Sequence, residues 1–331
     1  MLKFIRQTGA VILWWLCYLP LNGLIFLIFS KHIIGAGKKQ PDQSPLQMND
    51  SDKIKAWADS HLNEKSGIPD DEGFGTRFER HMMAKLLLGL AGRFDLHSVL
   101  ESPADGVTGI PGANSLPLAA VVYKPVVLTN PSERLLIVAG DTWAKRGLTN
   151  NVQTIPAPVS NLPFKSGSYD LVWSFCMLER FDDPIAYLKE TARVSGRLVL
   201  MVTLNSGNHG TWLHRIYHQI KGIGWDHGNF GMMTLSGIRE AFEKSGIDVI
   251  STGAVDVPPT WDTWDMPLGG EISKITILFG KKWEWKSASD NPQKGFLLSL
   301  FEWMEDNLPL WFKIQNAHHL YILGRPIQND K

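Results

Sequence analysis

Six side chains able to move protons, stack or bind a metal crowd one stretch between Asn205 and Gly231: His209, Trp212, His214, His218, Trp225 and His227. Imidazole titrates near neutral pH, so His209 or His227 could take a proton from a substrate hydroxyl. His214 and His218 stand four residues apart, the spacing that would set two ligands on one helical face. No HExxH pattern or cysteine partner accompanies them, and no metal site is expected. The stretch otherwise reads as a loop or lid whose histidines pack against tryptophans, with Trp212, His214 and Trp225 as the candidates for holding a substrate.

A second group is the run SVLESPADGVTGIPG, Ser98 to Gly112. A short apolar strand ends on Glu101, and Gly106, Gly109 and Gly112 follow. Glycines let bare backbone amides approach a charged ligand at a helix N-terminus, although a tight strand-to-helix turn would use them too. The run lacks the compact GxGxxG turn, which disfavours a dehydrogenase. The chain has no nucleophile elbow, Walker loop or paired-carboxylate signature, so hydrolase and kinase readings are unsupported.

The elements that must position these residues alternate. Apolar runs SVLE, VVLT, VQTI, YDLVWSF and GRLVLMV are separated by helical patterns at Pro111 to Val122, Glu133 to Ala144 and Pro184 to Val194. That order predicts a parallel sheet wound by right-handed crossovers, with ligands at the carboxyl ends of its strands. Further on, a helix is expected from Leu235 to Lys244 after Thr234, a strand from Asp248, and a helix over Phe296 to Phe312. HHLYILG from His318 reads as a closing strand, and Ile272 to Phe279 fits strand or helix. Trp261, Trp264, Trp283 and Trp285 would cover the sheet's open face or rest on a bilayer.

Ahead of this domain, Ala10 to Phe29 is an almost unbroken apolar run without charge, close to the ~20 residues that cross a bilayer. It predicts a membrane helix, with Pro20, Asn22 and Gly23 permitting a re-entrant form. Lysines just downstream lean weakly towards a cytoplasmic C-terminal domain. The expected division is an anchor over 1–34, a linker over 35–52, a helical lead-in over 53–95 and a catalytic-type domain over 96–326, with insertions at 206–233 and 257–316. Lys plus Arg and Asp plus Glu are 33 each, so no net field draws nucleic acid. Two cysteines, Cys17 and Cys176, give no basis for a disulfide framework.

The segment NLPFKSGSYDLVWSFCMLERFDDPIAYLKETARVSGRLVLMV, Asn161 to Val202, resembles the fourth and fifth strand region of class I S-adenosylmethionine-dependent methyltransferases of the type 11-like kind. Leu-Pro-Phe before a strand, then Leu-Glu, an Asp-Pro helix start and another strand, follow that family's order. The resemblance implies a Rossmann-like, doubly wound, mostly parallel seven-stranded sheet with helices on both faces. It also implies S-adenosylmethionine as cofactor, held by Glu101, Ser102, Pro103, Ala104, Asp105, Gly106, Asn130, Pro158, Val159 and Phe175. Asn130 stands where the family carries the acid that binds the ribose, Pro158 where it carries the acid that binds adenine, and Arg180 where it often carries His. The implied acceptor is a small molecule, lipid-like or quinone-like given the anchor. The alternative is a non-catalytic module of the same fold, tethered to the membrane.

Overall fold

The computed structural model describes residues 5–18, 48–64, 74–104, 110–222, 224, 225, 227–257 and 296–327. The apolar runs form β1 (Val99–Glu101), β2 (Val126–Asn130), β3 (Val152–Pro156), β4 (Tyr169–Phe175) and β5 (Ser195–Leu204), followed by β6 (Ile247–Val255) and β7 (His319–Pro326). They make one sheet in the order β3-β2-β1-β4-β5-β7-β6. The pairs among β1 to β5 are parallel, and only β7 runs antiparallel to its neighbours, with His319 opposite both Leu204 and Val255. Strand order reverses between β1 and β4, which sets a crevice at their carboxyl ends.

Three helices carry the crossovers and sheet-edge contacts: α4 (Glu133–Ala144), α5 (Pro184–Val194) and α7 (Leu235–Lys244). Each starts where a side chain accepts a free amide of the first turn: Ser132 from Leu135, Asp183 from Ala186, Thr234 from Gly237. Their apolar faces press onto central strands that are buried on both sides, so Leu171, Val172, Trp173, Phe175 and Leu198 to Val202 are sealed from water.

Four expectations are corrected. Pro111 to Val122 holds only a 3-10 turn at Leu116–Ala120, because Pro111 and Pro117 withhold amide donors that a longer helix needs. Much of the supposed lid is a helix, α6 (His209–Lys221), capped by Asn208 and stopped by Gly222 at φ 63°. The helical pattern at Phe296 to Phe312 breaks at Pro309 into α8 (Phe296–Asn307) and α9 (Leu310–Asn316). The linker ends early, since α2 (Asp50–Glu64) begins inside 35–52. Ile272 to Phe279 and the tryptophans at 261, 264, 283 and 285 lie outside the described residues.

Of the apolar N-terminal run, residues 5–18 form a helix, α1, that packs on the domain. Ala10 and Trp14 are wholly buried, and the Trp14 ring meets Phe312 edge-on at 5.2 Å. Among the described residues no helix is long and apolar enough to cross a membrane, and residues 19–29 fall outside them. The lead-in helices α2 and α3 (Phe74–Phe94) then close over the sheet, α3 burying Phe78, Met83 and Leu87.

Candidate functional site

The crevice is built from the β1 end outward. Glu101 is fully buried and accepts a 2.5 Å hydrogen bond from Ser115, whose hydroxyl also receives the Trp173 indole N–H. Ser102 donates its amide to Trp173, accepts the Tyr187 hydroxyl on its carbonyl, and precedes a cis peptide to Pro103. The buried Ser102 hydroxyl has no hydrogen-bond partner among the described residues. Ala104 donates its amide to Thr129. Asp105 and Gly106 lie outside the described residues.

The next positions are committed to the chain itself. Asn130 is buried, donating to the Ala104 carbonyl at 2.9 Å and accepting the Ser132 amide at 2.8 Å. Both ends of its amide thus join the β1 loop to the α4 cap. Pro158 contributes no donor, and the Val159 amide donates to Ser51 Oγ at 3.1 Å. Phe175 is sealed in the sheet, its ring 4.8 Å from that of His319.

Ser51 belongs to α2, which crosses the carboxyl ends of β2, β3 and β4. Ser132 donates to Asp59 at 2.5 Å, the amides of Asp182 and Asp183 donate to Asp50, and Lys53 pairs with Asp182. Trp57 lies under the Arg180 guanidinium at 4.0 Å, a cation–π contact that gives the Arg180 substitution a partner. The sequence contains a helical period at 53–62 but no signal that this helix would lie on the crevice.

The proposed acceptor side separates into two groups. His209 is packed at the α6 start against Tyr18 and Trp14, with ring centroids 4.9 and 6.4 Å away. Burial pushes its pKa down to about 4, and its Nε2 has no partner among the described residues. His227 sits elsewhere, 4.7 Å from Trp225 and 5.3 Å from His218, whose Nδ1 meets the Gly224 carbonyl. Trp225 stacks on Phe230 and lines a cavity of about 420 Å³ shared with Glu179, Arg180 and Asp182. Trp212 is exposed, and the His214 side chain lies outside the described residues. A second cavity of about 460 Å³, around Arg197, Asp248 and Arg325, opens at the amino ends of β5 and β6, away from the crevice.

Sequence spacing did not bring together Glu79, Asp256, His318 and His319, which meet in the interior near the β7 start. His319 and Glu79 are 240 positions apart, and only the paired histidines stand out in the sequence.

Residues 107–200 match the family model described as a methyltransferase domain. The match runs from the loop after β1 into β5, so it contains β2, β3, β4 and α5. No curated protein matches the chain. Among solved structures, the [4+2]-cyclase SpnF is similar at 12% identity and TM-score 0.49, over 84% of this chain and 97% of that one. Geranyl diphosphate methyltransferase in complex with GPP and sinefungin is similar at 13% and 0.43, over 74% and 78%. A SAM-dependent methyltransferase from Aquifex aeolicus is similar at 17% and 0.41, over 60% and 92%. The chain carries a Rossmann-like fold, a mostly parallel seven-stranded sheet with the crevice at its strand ends, and the methyltransferase-domain match falls on the part of it that frames this crevice.

Proposed function

We propose that the chain is an S-adenosylmethionine-dependent methyltransferase acting on a small lipid-like or quinone-like acceptor. The observation that carries this reading is the methyltransferase-domain match over 107–200, on a sheet whose first crevice loop follows the acid-ended β1. The cofactor is S-adenosylmethionine, which supplies a methyl group already activated on a sulfonium. The residues fit it in part. Ser102, with its unpartnered hydroxyl, suits the polar amino-acid end. The ribose and adenine positions do not stand open, because Asn130 faces inward and the Val159 amide is held by Ser51. Loading therefore requires α2 to move.

For the acceptor, the cavity beside Trp225 and Arg180 is favoured, and His227, its ring 4.7 Å from that of Trp225, is the candidate histidine beside it. His209, held neutral to about pH 4 under Trp14 and Tyr18, makes a weak base. The finer reading adds the membrane. Ile12, Trp15 and Leu16 on α1, with Leu310, Trp311 and Trp212, are exposed apolar side chains of a kind suited to a bilayer and to collecting an apolar acceptor. The domain then faces the cytoplasm, where the methyl donor is made.

Isothermal titration of the full chain with S-adenosylmethionine and S-adenosylhomocysteine tests the reading, with Asp105→Ala/Gly106→Val as control. Saturable binding abolished in the control supports an enzyme. No binding by a folded chain would favour a second reading, a non-catalytic module of the same fold. The engagement of both ends of the Asn130 amide within the chain is the observation on its side.

A further inference from the structure

Beyond the crevice, four ionisable side chains from three distant parts of the chain converge in the interior. Glu79 comes from α3, Asp256 directly follows β6, His318 directly precedes β7 and His319 opens it. Their relative exposures are 4%, 2%, 6% and 0%, so water cannot solvate them in place of a partner. Each offers one ligand-type atom, and the four atoms lie within 4.8 Å of one another.

The separations have a pattern. His319 Nε2 is 2.9 Å from Glu79 Oε2 and 4.0 Å from Asp256 Oδ2, and His318 Nδ1 is 3.2 Å from Asp256 Oδ2 and 3.7 Å from Glu79 Oε2. A tetrahedral ion with bonds of about 2.0–2.2 Å sets its ligands roughly 3.3–3.6 Å apart. The observed set straddles that spacing, so shifts of a few tenths of an ångström would make it regular. The two short contacts, His319 to Glu79 and His318 to Asp256, are those of ion pairs, and the two long ones bring the pairs together around one centre.

Charge points the same way. Two carboxylates and two neutral imidazoles sum to minus two, which a divalent cation cancels. A separate observation is Asp256 Oδ1, which is buried and has no hydrogen-bond partner among the described residues. Its backbone is already anchored, the amide donating to Glu305 and the carbonyl accepting from His318. On the far side of the His319 ring, Nδ1 meets Cys176 Sγ at 3.4 Å, so the ring is oriented with Nε2 towards the centre.

The geometry points to a closed metal site, in which Glu79, Asp256, His318 and His319 bind one divalent transition-metal ion of the zinc class. Two imidazoles and two carboxylates suit Zn²⁺ at four-coordination, and full enclosure by protein ligands is the mark of a structural ion. The ion ties the lead-in helix α3 to the β6–β7 edge. It also steadies the acceptor side, because Asn205, just ahead of α6, donates its amide to the His318 carbonyl and its side chain to Ala317 and Ile314. The site does not depend on the methyl-transfer reading, and its test uses no cofactor.

The full chain, stripped with a chelator and refolded if necessary, is titrated with Co²⁺ and then Zn²⁺. Expected are one Co²⁺ per chain, the intense visible absorption of a tetrahedral site, displacement by one equivalent of Zn²⁺, and a rise of several degrees in melting temperature. Binding weakens as pH falls, because protons compete with the metal for the imidazoles. Asp256→Asn and His319→Gln abolish the absorption while far-UV circular dichroism shows a folded chain, whereas His214→Ala/His218→Ala keeps it. Should the first two variants fail to fold, the wild-type spectrum and stoichiometry still decide. A folded wild-type chain that binds no Co²⁺, gives the weak spectrum of a six-coordinate ion, or loses binding in the His214/His218 variant overturns the site.

Discussion

Asn130 shows how a residue can occupy a functional position in the sequence and a structural one in space. The sequence places it at the end of β2, where an acid would bind ribose hydroxyls, and that placement was legible from the strand pattern. Its direction was not, because the partners that turn it inward, Ala104 and Ser132, act only through backbone atoms. Asn130→Asp is therefore expected to destabilise rather than to restore cofactor binding. A carboxylate would face the Ala104 carbonyl without a donor, at a cost of about 1–3 kcal/mol. Denaturant melts would read the loss, and titration with S-adenosylmethionine would show no gain in affinity. A more stable, tighter-binding variant would mean that Asn130 turns outward. His209 gives a second residue-level prediction. Burial lowers its pKa from 6.5 to about 4, so the unfolded chain takes up this proton first as pH falls. The stability due to the neutral imidazole is present above pH 6.5 and lost as pH drops through about 4, at most about 3 kcal/mol over that span. His209→Leu should flatten the acid side of a stability–pH curve between these values, and an unchanged slope would show that the imidazole is hydrated.

At the scale of elements, legibility followed the local signal. The helices at Glu133, Pro184 and Leu235 and the strand at Tyr169 fall where capping residues and apolar period agree. Agreement failed where two local rules conflict. His209–Lys221 looked like a loop because Gly210 and Gly222 flank a histidine-rich run, yet the Asn208 cap was enough to start the helix. What no local rule contains is placement, and α2 is the instructive case. Its polar residues Asp50, Ser51 and Asp59 look like ordinary helix-surface groups, but each one bonds a loop at the sheet's carboxyl edge. If α2 holds the crevice closed, Ser51→Ala/Asp59→Ala should raise affinity for S-adenosylhomocysteine several-fold, mainly through faster association, since the helix no longer competes for Val159 and Ser132. Stopped-flow fluorescence of Trp57, which leaves Arg180 as α2 moves, would follow the event. Weaker binding in the double variant would make α2 a clamp over bound cofactor, and the closed crevice would then need another entry.

The whole molecule joins these parts at one end. The lead-in α1, the α6 start and α9 pack around Trp14, which bridges Tyr18, His209 and Phe312. The same packing turns other side chains outward: Ile12, Trp15 and Leu16 from α1, Trp212 from α6, Leu310 and Trp311 from α9, all between 45% and 64% exposed. A run read from the sequence as twenty-odd membrane residues thus has a first half divided between two faces, one buried in the domain and one left open. In the membrane-associated reading proposed above, such a face would meet a bilayer by partition of its apolar area. The expected outcome is that Trp15→Ser/Leu16→Ser/Trp311→Ser lowers co-sedimentation with phosphatidylcholine vesicles at least tenfold, because removing three large apolar side chains forfeits more than the roughly 1.4 kcal/mol that a tenfold change represents. Trp14→Ser would act differently, unfolding the junction and lowering the melting temperature. Should the triple variant sediment as well as the wild type, the surface is not the docking face, and attachment would rest on residues after Tyr18.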